Sequence, residues 1–179
     1  MSRKIRITLL LGAVVAVFLI PALTPQALAQ DGCVAFHAVL QEELPADIPL
    51  RLHDTWGGKV YATLGQEVFI GLVSGNDGPQ KKPGTTIIAT GGTYKFDFSG
   101  GNTFTTQANT STAPLLPKGP FFGTFRNSER IIEGEGRFRF ASGNLEQSGP
   151  FLVYSFSPLH GRYNGEVTGN ICGVQPAEP

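Results

Sequence analysis

The residue best placed for proton chemistry is Asp54, which ends a short run of alternating apolar residues. In an extended segment, Leu50, Leu52 and Asp54 point to the same side. If that side faces an apolar interior, desolvation raises the pKa of the carboxyl group and suits it to general acid or base catalysis. The alternative is structural, because an aspartate in this position commonly accepts hydrogen bonds from the following turn, here Trp56–Gly58. His53 would point outward and is a poor catalytic candidate.

No other group of residues has the spacing of a familiar catalytic or cofactor site. The three histidines are scattered and form no HxH or HExxH pattern, so we expect no metal. A GxSxG motif is absent, which argues against acyl hydrolysis. No GxxxxGK[ST] motif occurs either, so we expect neither a nucleotide site nor a cofactor. Glu133 and Glu135 could act as paired acids, although carboxylates beside a glycine-rich bend are more often solvated.

The first 29 residues have the three parts of a signal peptide. Arg3, Lys4 and Arg6 form a basic start, an apolar run extends from Ile7 to Ile20, and Ala27-Leu28-Ala29 provides a cleavage site. The apolar run is shorter than the roughly 18 residues that a spanning helix usually needs. We therefore expect cleavage after Ala29, no membrane span in the mature protein, and a secreted or periplasmic location.

The remaining 150 residues suffice for one domain, predicted over residues 30–173 with a flexible tail at 174–179. The leader holds three of the 14 basic residues and none of the 14 acidic ones, so the rest of the chain has a net charge of −3. Nucleic acid is therefore not an expected partner. Over the whole chain of 179 residues, only 16% are charged, whereas there are 23 glycines and 13 phenylalanines. This composition favours short strands and tight turns over a helical bundle.

Cys33 and Cys172 lie near the two ends of the mature chain. In an oxidising compartment, two cysteines in a small exported domain predict one disulfide. The absence of a CxxC motif and of a nearby histidine argues against a reactive thiol pair or a metal site. A bond between these residues implies that the two ends of the chain are adjacent, as in a closed barrel.

Alternation of period two recurs along the chain, and no stretch has sustained helical periodicity. The number of short strands predicts an antiparallel barrel or sandwich, with longer loops at 75–84 and 109–118. The predicted strands are Cys33–Leu40, Leu50–Asp54, Lys59–Leu64, Glu67–Ser74, Thr86–Thr90, Thr93–Phe98, Thr103–Gln107, Gly119–Phe125, Arg137–Phe140, Phe151–Phe156 and Tyr163–Ile171.

The faces of these strands predict the interior. In the strand from Thr93 aromatic residues alternate with Lys95 and Asp97, and in the strand from Arg137 phenylalanines alternate with arginines. The side chains expected to face the interior and to contact an apolar ligand are Leu52, Tyr94, Phe96, Phe138 and Phe140.

Two predicted strands, over Val68–Val73 and Phe151–Phe156, are apolar on both faces. Their outer faces need a cover. Either the N-terminal segment or a loop lies over them, or protomers associate there as a homodimer or homotrimer.

The segment Arg130-Ile-Ile-Glu-Gly-Glu-Gly-Arg-Phe-Arg-Phe-Ala-Ser-Gly143 resembles the G-G-T-G-x-F-x-x-A-x-G stretch of plant dirigent proteins and of the wider allene oxide cyclase barrel superfamily. Glu133 and Glu135 stand where the family has Gly and Thr. Upstream, Leu50–Gly58 is similar to the dirigent start, an apolar strand that ends in His-Asp before a turn with glycine. The matching positions of the first segment are Gly134, Gly136, Phe138, Ala141 and Gly143.

The resemblance implies an all-β fold, an eight-stranded antiparallel barrel of lipocalin-like shape with an inner cavity. It also implies a catalytic role for Asp54, because the aspartate of the His-Asp motif is linked to the catalytic pocket in the dirigent family. Two functions are consistent with the sequence. One is a cofactor-free isomerase, cyclase or dirigent-like guide that binds a small hydrophobic molecule and uses Asp54 to move a proton. The other is a non-catalytic extracellular or envelope module with a filled barrel. A cavity that contains a polar group would favour the first.

Overall fold

The computed structural model describes residues 32–44, 55–76, 78–114, 121–156 and 159–177. The predicted signal peptide and the predicted strand Leu50–Asp54, with Leu52, His53 and Asp54, lie outside the described residues. Apart from two short 3₁₀ turns, the regular structure consists of strands. They are β1 (Cys33–Leu44), β2 (Trp56–Leu64), β3 (Glu67–Asn76), β4 (Gln80–Lys81), β5 (Thr86–Ala89), β6 (Thr93–Phe98), β7 (Asn102–Pro114), β8 (Phe121–Glu135), β9 (Asn144–Phe156) and β10 (Leu159–Cys172).

Eight of these strands close a barrel in which every strand is antiparallel to both of its neighbours. The strands β1, β2, β3, β6, β7, β8, β9 and β10 pair in chain order, and β10 returns to β1. The short strands β4 and β5 form an extension in which β5 pairs with the last residues of β7. The predicted eight-stranded antiparallel barrel is therefore confirmed.

The strands β1 and β10 are paired from Cys33 and Cys172 to Leu44 and Gly161. A disulfide joins Cys33 to Cys172 and confirms the predicted bond. We call this end of the barrel the disulfide end. The far end is the opposite one, where β1 ends at Leu44 and β8 begins at Phe121.

The interior near the disulfide end is filled by phenylalanine rings. Neighbouring ring centroids are 4.6 to 6.3 Å apart, and all five residues are buried. Tyr94 is buried as well, so the interior positions predicted for Tyr94, Phe96 and Phe138 are confirmed. The five rings are Phe36, Phe96, Phe98, Phe104 and Phe138.

The predicted strand Arg137–Phe140 is wrong, because residues 136–138 form a 3₁₀ turn. Gly136 has a φ of +58°, a conformation that glycine adopts at little cost, and it turns the chain across the end of the barrel. A helical turn does not alternate like a strand. Phe138 is therefore buried, whereas Phe140 is 66% exposed, and the predicted interior position of Phe140 is wrong.

Arg137 connects this turn to the disulfide end of the barrel. Its guanidinium group contacts both carboxylate oxygens of Glu67, at 2.5 and 2.9 Å, and lies 5.5 Å from the centre of the Phe69 ring. It also donates a hydrogen bond of 2.9 Å to the carbonyl oxygen of Gln175, and the amide of Gln175 donates one of 2.8 Å to the carbonyl oxygen of Arg137. This part of the predicted tail is therefore attached to the barrel.

Several strands are longer than predicted. The predicted loop at 109–118 contains the last residues of β7, and β8 continues to Glu135 instead of ending at Phe125. Polar residues such as Asn127 and Glu129 occupy inward positions of β8. They interrupt the apolar alternation that strand prediction depends on.

The apolar outer faces are uncovered in the described chain. On β3, Val68, Ile70 and Leu72 are 71%, 60% and 46% exposed, and on β9 Leu152 and Tyr154 are 40% and 45% exposed. Association between protomers at these faces stays a prediction.

Candidate functional site

The inward residues of β8 divide the barrel interior into layers. From the far end, Phe121, Gly123 and Phe125 are followed by two polar residues, Asn127 and Glu129, and then by Ile131. The inward side chains thus change from aromatic to polar to apolar along one strand. The polar residues in the middle have no counterpart in a simple filled core.

Polar side chains of three neighbouring strands meet at this level, and we call them the polar layer. Ser111 on β7 is the register partner of Asn127, and Asn127 is the register partner of Gln147 on β9. Every member is at most 2% exposed. The polar layer consists of Thr106, Ser111, Asn127, Glu129 and Gln147.

Hydrogen bonds connect the polar layer. The Ser111 hydroxyl donates to Asn127 Oδ1 at 3.1 Å, and Asn127 Nδ2 donates to Glu129 Oε2 at 3.4 Å. The Thr106 hydroxyl is hydrogen-bonded to the same carboxylate oxygen, and its oxygen lies 3.4 Å from the carbonyl oxygen of Tyr94. Glu129 is therefore the point at which these contacts converge.

Thr106 can serve Glu129 in either protonation state, because its hydroxyl group has one proton and can also accept. When Glu129 is ionised, the Thr106 hydroxyl donates to the carboxylate. When Glu129 is protonated, the acid donates to Thr106, and the Thr106 hydroxyl then donates to the Tyr94 carbonyl oxygen. The carboxyl group can gain or lose a proton without leaving this contact.

Burial raises the pKa of Glu129 to about 7. The hydrogen bond from Thr106 lowers this pKa, and the nearby charge of Glu146 raises it. A carboxyl group with a pKa near neutrality can both accept and donate a proton under physiological conditions. Glu129 therefore gives the polar layer a group whose pKa suits proton transfer.

Two oxygens of the polar layer have unused acceptor capacity. Within the described part of the chain, Glu129 Oε1 and Gln147 Oε1 are buried and accept no hydrogen bond. A buried acceptor without a partner typically costs about 1–3 kcal/mol. A bound group that donates hydrogen bonds would recover this free energy.

Five aromatic side chains, which we call the aromatic layer, lie between the polar layer and the far end. The ring of Tyr163 lies 5.6 Å from that of Phe125 and 6.4 Å from that of Trp56. Trp56, Phe121 and Phe125 pack against the core but are only half-buried, so these three residues stay partly accessible to solvent. The members of the aromatic layer are Trp56, Phe121, Phe125, Phe151 and Tyr163.

The ring of Tyr163 leans from the aromatic layer toward the polar layer. A Cβ atom at Gly165 would lie 2.1 Å from the Tyr163 hydroxyl oxygen, so the ring occupies the space that a side chain at Gly165 would need. Gly165 is two residues nearer the disulfide end on β10. The tyrosine thereby brings its hydroxyl group from the aromatic rings toward the polar side chains.

The predicted site residues do not form this site. Tyr94 contributes only its backbone carbonyl oxygen, while Phe96 and Phe138 belong to the packed rings at the disulfide end. Phe140 lies outside the barrel, and Leu52 and Asp54 lie outside the described residues. The predicted roles of Leu52 and Asp54 stay predictions.

Sequence reasoning missed Glu129. Alternation from Phe121 to Ile131 places Glu129 on the same face as Phe125, and this pattern was the available signal. The sequence suggested Glu133 and Glu135 as candidate paired acids or as solvated carboxylates. Both residues are exposed, which agrees with the second interpretation.

Among the residues that the structure describes, no three His, Cys, Asp or Glu side chains are grouped so that they could hold a metal ion. In the same residues there is no helix whose length and apolar character would allow it to cross a membrane.

The fold and the interior define a small closed antiparallel β-barrel that contains a buried acidic site beneath half-buried aromatic rings. Comparisons with protein-family models, with curated proteins and with solved structures found no match.

Proposed function

We propose that the protein binds a small hydrophobic molecule that carries a polar group. The aromatic layer would hold the apolar part, and the polar layer would hold the polar group. The observation that carries this proposal is the fully buried Glu129 carboxyl group, which lies in a hydrogen-bonded layer beneath half-buried aromatic rings.

A purely structural barrel gains nothing from this arrangement. Burying a carboxyl group costs free energy unless it is paired or neutralised, and apolar residues would fill the same space at lower cost. Buried acids whose pKa is strongly shifted are concentrated at functional sites. The polar layer therefore favours a ligand-binding barrel over a filled one.

A cofactor-free isomerase, cyclase or dirigent-like activity is the catalytic form of this proposal. The resemblance of residues 130–143 to the dirigent motif supports it, and so does the pKa of about 7 at Glu129. In such a reaction the barrel would orient the substrate, and Glu129 would transfer the proton. The predicted signal peptide and the disulfide support a secreted or periplasmic site of action.

Trp56 allows a direct test, because it is the single tryptophan of the chain and belongs to the aromatic layer. Tryptophan fluorescence would be followed during titration with phenethyl alcohol and with ethylbenzene, which has nearly the same shape but no hydroxyl group. We expect a saturable change with the alcohol and weaker binding of the hydrocarbon, because a site built to hydrogen-bond a hydroxyl group discriminates against its absence.

Two phenylalanines on β8 provide a matched pair of variants. Phe125 points inward and contacts Tyr163, whereas Phe122 points outward and is 67% exposed. Phe125→Ala should weaken binding of phenethyl alcohol, and Phe122→Ala should not change it. Binding of phenethyl alcohol that Phe125→Ala leaves unchanged, or that ethylbenzene matches, would show the proposal to be wrong.

A second candidate function, self-association as an interaction module, is favoured by the outer face of β1, β2 and β3. Val39, Tyr61 and Ile70 are register partners in a row, and all three are exposed. Lys59 and Asp97 border the neighbouring Leu72 on either side. Charges of both signs suit a two-fold contact between copies, because the lysine of one copy can face the aspartate of the other.

Sedimentation velocity over a range of concentrations tests this second function. The wild-type protein should form a homodimer, and Ile70→Lys should be monomeric while it retains the circular dichroism of the barrel. A wild-type protein that stays monomeric at every concentration would contradict it.

A further inference from the structure

We infer that the molecule bound in the barrel is a hydrophobic amine, whose ammonium group lies against Glu129 and whose apolar part lies among the rings of the aromatic layer. This inference rests on the proposed function and specifies its ligand class. It depends on the charge, the hydrogen-bonding capacity and the layering of the interior.

No cation of the described chain accompanies Glu129 in the interior. Glu129 is 0% exposed, whereas no Lys, Arg or His is buried among the residues that the structure describes. Within the described residues, the side-chain hydrogen bonds of Glu129 come from Thr106 and Asn127, which are both neutral. A buried carboxylate is stable when a cation accompanies it. An ammonium ligand would supply that cation.

The hydrogen-bonding capacity of the polar layer points to the same class. Glu129 Oε1 and Gln147 Oε1 are buried acceptors that receive no hydrogen bond in the described chain. A primary ammonium group has three donors and no acceptor, so it has enough donors for both oxygens. A hydroxyl group has only one donor, and a ligand carboxylate would offer none and would repel Glu129.

The layering sets the orientation of the ligand. The half-buried rings of Trp56, Phe121 and Phe125 lie nearer the far end than Glu129 does. An amine that enters from the far end therefore places its ammonium group deepest and leaves its apolar part among the rings. Aromatic faces also attract cations, which favours passage of the ammonium group through this layer.

Binding should be coupled to the protonation of Glu129. The other titratable side chains that face the interior among the described residues are Glu42 on β1, Tyr94 on β6 and Tyr163 on β10, while Glu146 lies on the outer face of β9. An ammonium ligand favours the ionised form of Glu129. Below about pH 7 its binding must therefore release a proton from the protein.

Isothermal titration calorimetry with three compounds of similar shape tests the ligand class. The compounds are phenethylamine, phenethyl alcohol and 3-phenylpropionate. At about pH 8, where both the amine and Glu129 are charged, we expect the amine to bind at least about tenfold more tightly than the alcohol, and the carboxylate not to bind. At about pH 6, titrations in two buffers of different ionisation enthalpy should show proton release with the amine alone.

The outcomes separate this inference from the proposed function. If the alcohol binds as tightly as the amine, the inference is overturned and the proposed function stands. If none of the three compounds binds, both are overturned. Proton release that is equal for the amine and the alcohol would also overturn the inference.

Glu129→Gln is the decisive variant, because glutamine keeps the shape of the side chain and removes its charge. It should lose the preference for the amine over phenethyl alcohol. Glu146→Gln is the control, since Glu146 is exposed and should leave the preference intact. If Glu129→Gln does not fold, the wild-type protein decides instead through the pH dependence of its preference for the amine over the alcohol. A preference that is equal at about pH 5 and about pH 8 would overturn the inference.

Discussion

Thr106 on β7 and Glu129 on β8 are hydrogen-bonded to each other inside the barrel, and neither side chain is exposed. They are not register partners, because Thr106 pairs with Ile131 and Glu129 pairs with Ala108. The register between β7 and β8 shifts on both sides of this segment, between Thr105 and Thr106 and between Ala108 and Thr110. Such bulges redirect side chains and occur next to functional sites. Here they coincide with the residues that hold the buried acid.

Because Glu129 is buried, we expect the stability of the protein to depend on pH in an unusual way. The pKa of Glu129 is raised from 4.5 to about 7 in the folded protein, so between these values the folded state holds a proton that the unfolded state has lost. Its contribution to stability is therefore full below about pH 4.5 and is lost as the pH rises to about 7. Urea unfolding at a series of pH values should show a decrease of about 3 kcal/mol over this range and no further change from this group above it.

Two glutamine variants test whether Glu129 is the group that causes this pH dependence. Glu129→Gln should remove the decrease, because the amide does not titrate. Glu146→Gln should retain most of it, because burial is the largest cause of the shifted pKa and the charge of Glu146 is a smaller one. If Glu129→Gln keeps the wild-type slope, Glu129 is not the titrating group.

Phe138 and Phe140 are two residues apart in the sequence, but their substitution by alanine should change the free energy of unfolding by very different amounts. Phe138 is completely buried among Phe98 and Phe104, whereas Phe140 is 66% exposed. Phe138→Ala should lower the free energy of unfolding by about 3–5 kcal/mol, as is typical of a core phenylalanine. Phe140→Ala should change it by less than about 0.5 kcal/mol. Equal effects in urea unfolding would contradict the 3₁₀ turn at residues 136–138.

This pair also shows how far the sequence predicts the fold. Alternation identified the strand Thr93–Phe98 with its exact bounds, because its apolar and charged residues follow the two-residue repeat. The same pattern misled at Arg137–Phe140, where a glycine with positive φ starts a helical turn that alternation does not detect. The location of the cysteines near both ends was enough to predict the disulfide.

The candidate site was harder to predict than the barrel. Its members come from β7, β8 and β9, and they converge only because the barrel closes and two bulges shift the register. By residue type alone, each of them resembles an ordinary outward polar residue. Glu129 in particular lies beyond the predicted end of its strand, since the inward Asn127 interrupts the apolar pattern. Burial decides the chemistry of this acid, and burial is a property of the closed barrel.

The disulfide should contribute strongly to stability, because it closes a loop of 139 residues. Chain-entropy models give about 5 kcal/mol for a loop of this length. Reduction should therefore lower the melting temperature by about 10 °C or more. Circular dichroism melts with and without reductant measure this, and the double variant Cys33→Ser, Cys172→Ser is the control that reductant should not affect. A wild-type melting temperature that reductant leaves unchanged would contradict a structural role for the bond.

Substitution of Arg137 should lower the stability of the protein, because both the geometry and the charge of its side chain contribute to the contacts it makes. Its side chain is 16% exposed, contacts both oxygens of Glu67 and lies over Phe69. Arg137→Ala should lower the free energy of unfolding by about 1–2 kcal/mol, since it removes an ion pair, a carbonyl contact and the cover of an aromatic ring. Arg137→Lys should recover only part of this, because an ammonium group cannot make the two-point contact with the carboxylate.

The pH dependence of the Arg137 variants tests the same contact. The hydrogen bond from Arg137 holds the pKa of Glu67 below its ordinary value, so the contribution of this pair is present above the unfolded pKa and is lost as the pH falls through the folded one. The difference in stability between the wild-type protein and Arg137→Ala should therefore shrink in acid. Glu67→Gln should cost less than about 1 kcal/mol, because Glu67 is half exposed and solvent screens its charge. A wild-type to Arg137→Ala difference that is as large in acid as at neutral pH would assign the effect of Arg137 to its packing on Phe69 and its hydrogen bond to Gln175, and not to the ion pair.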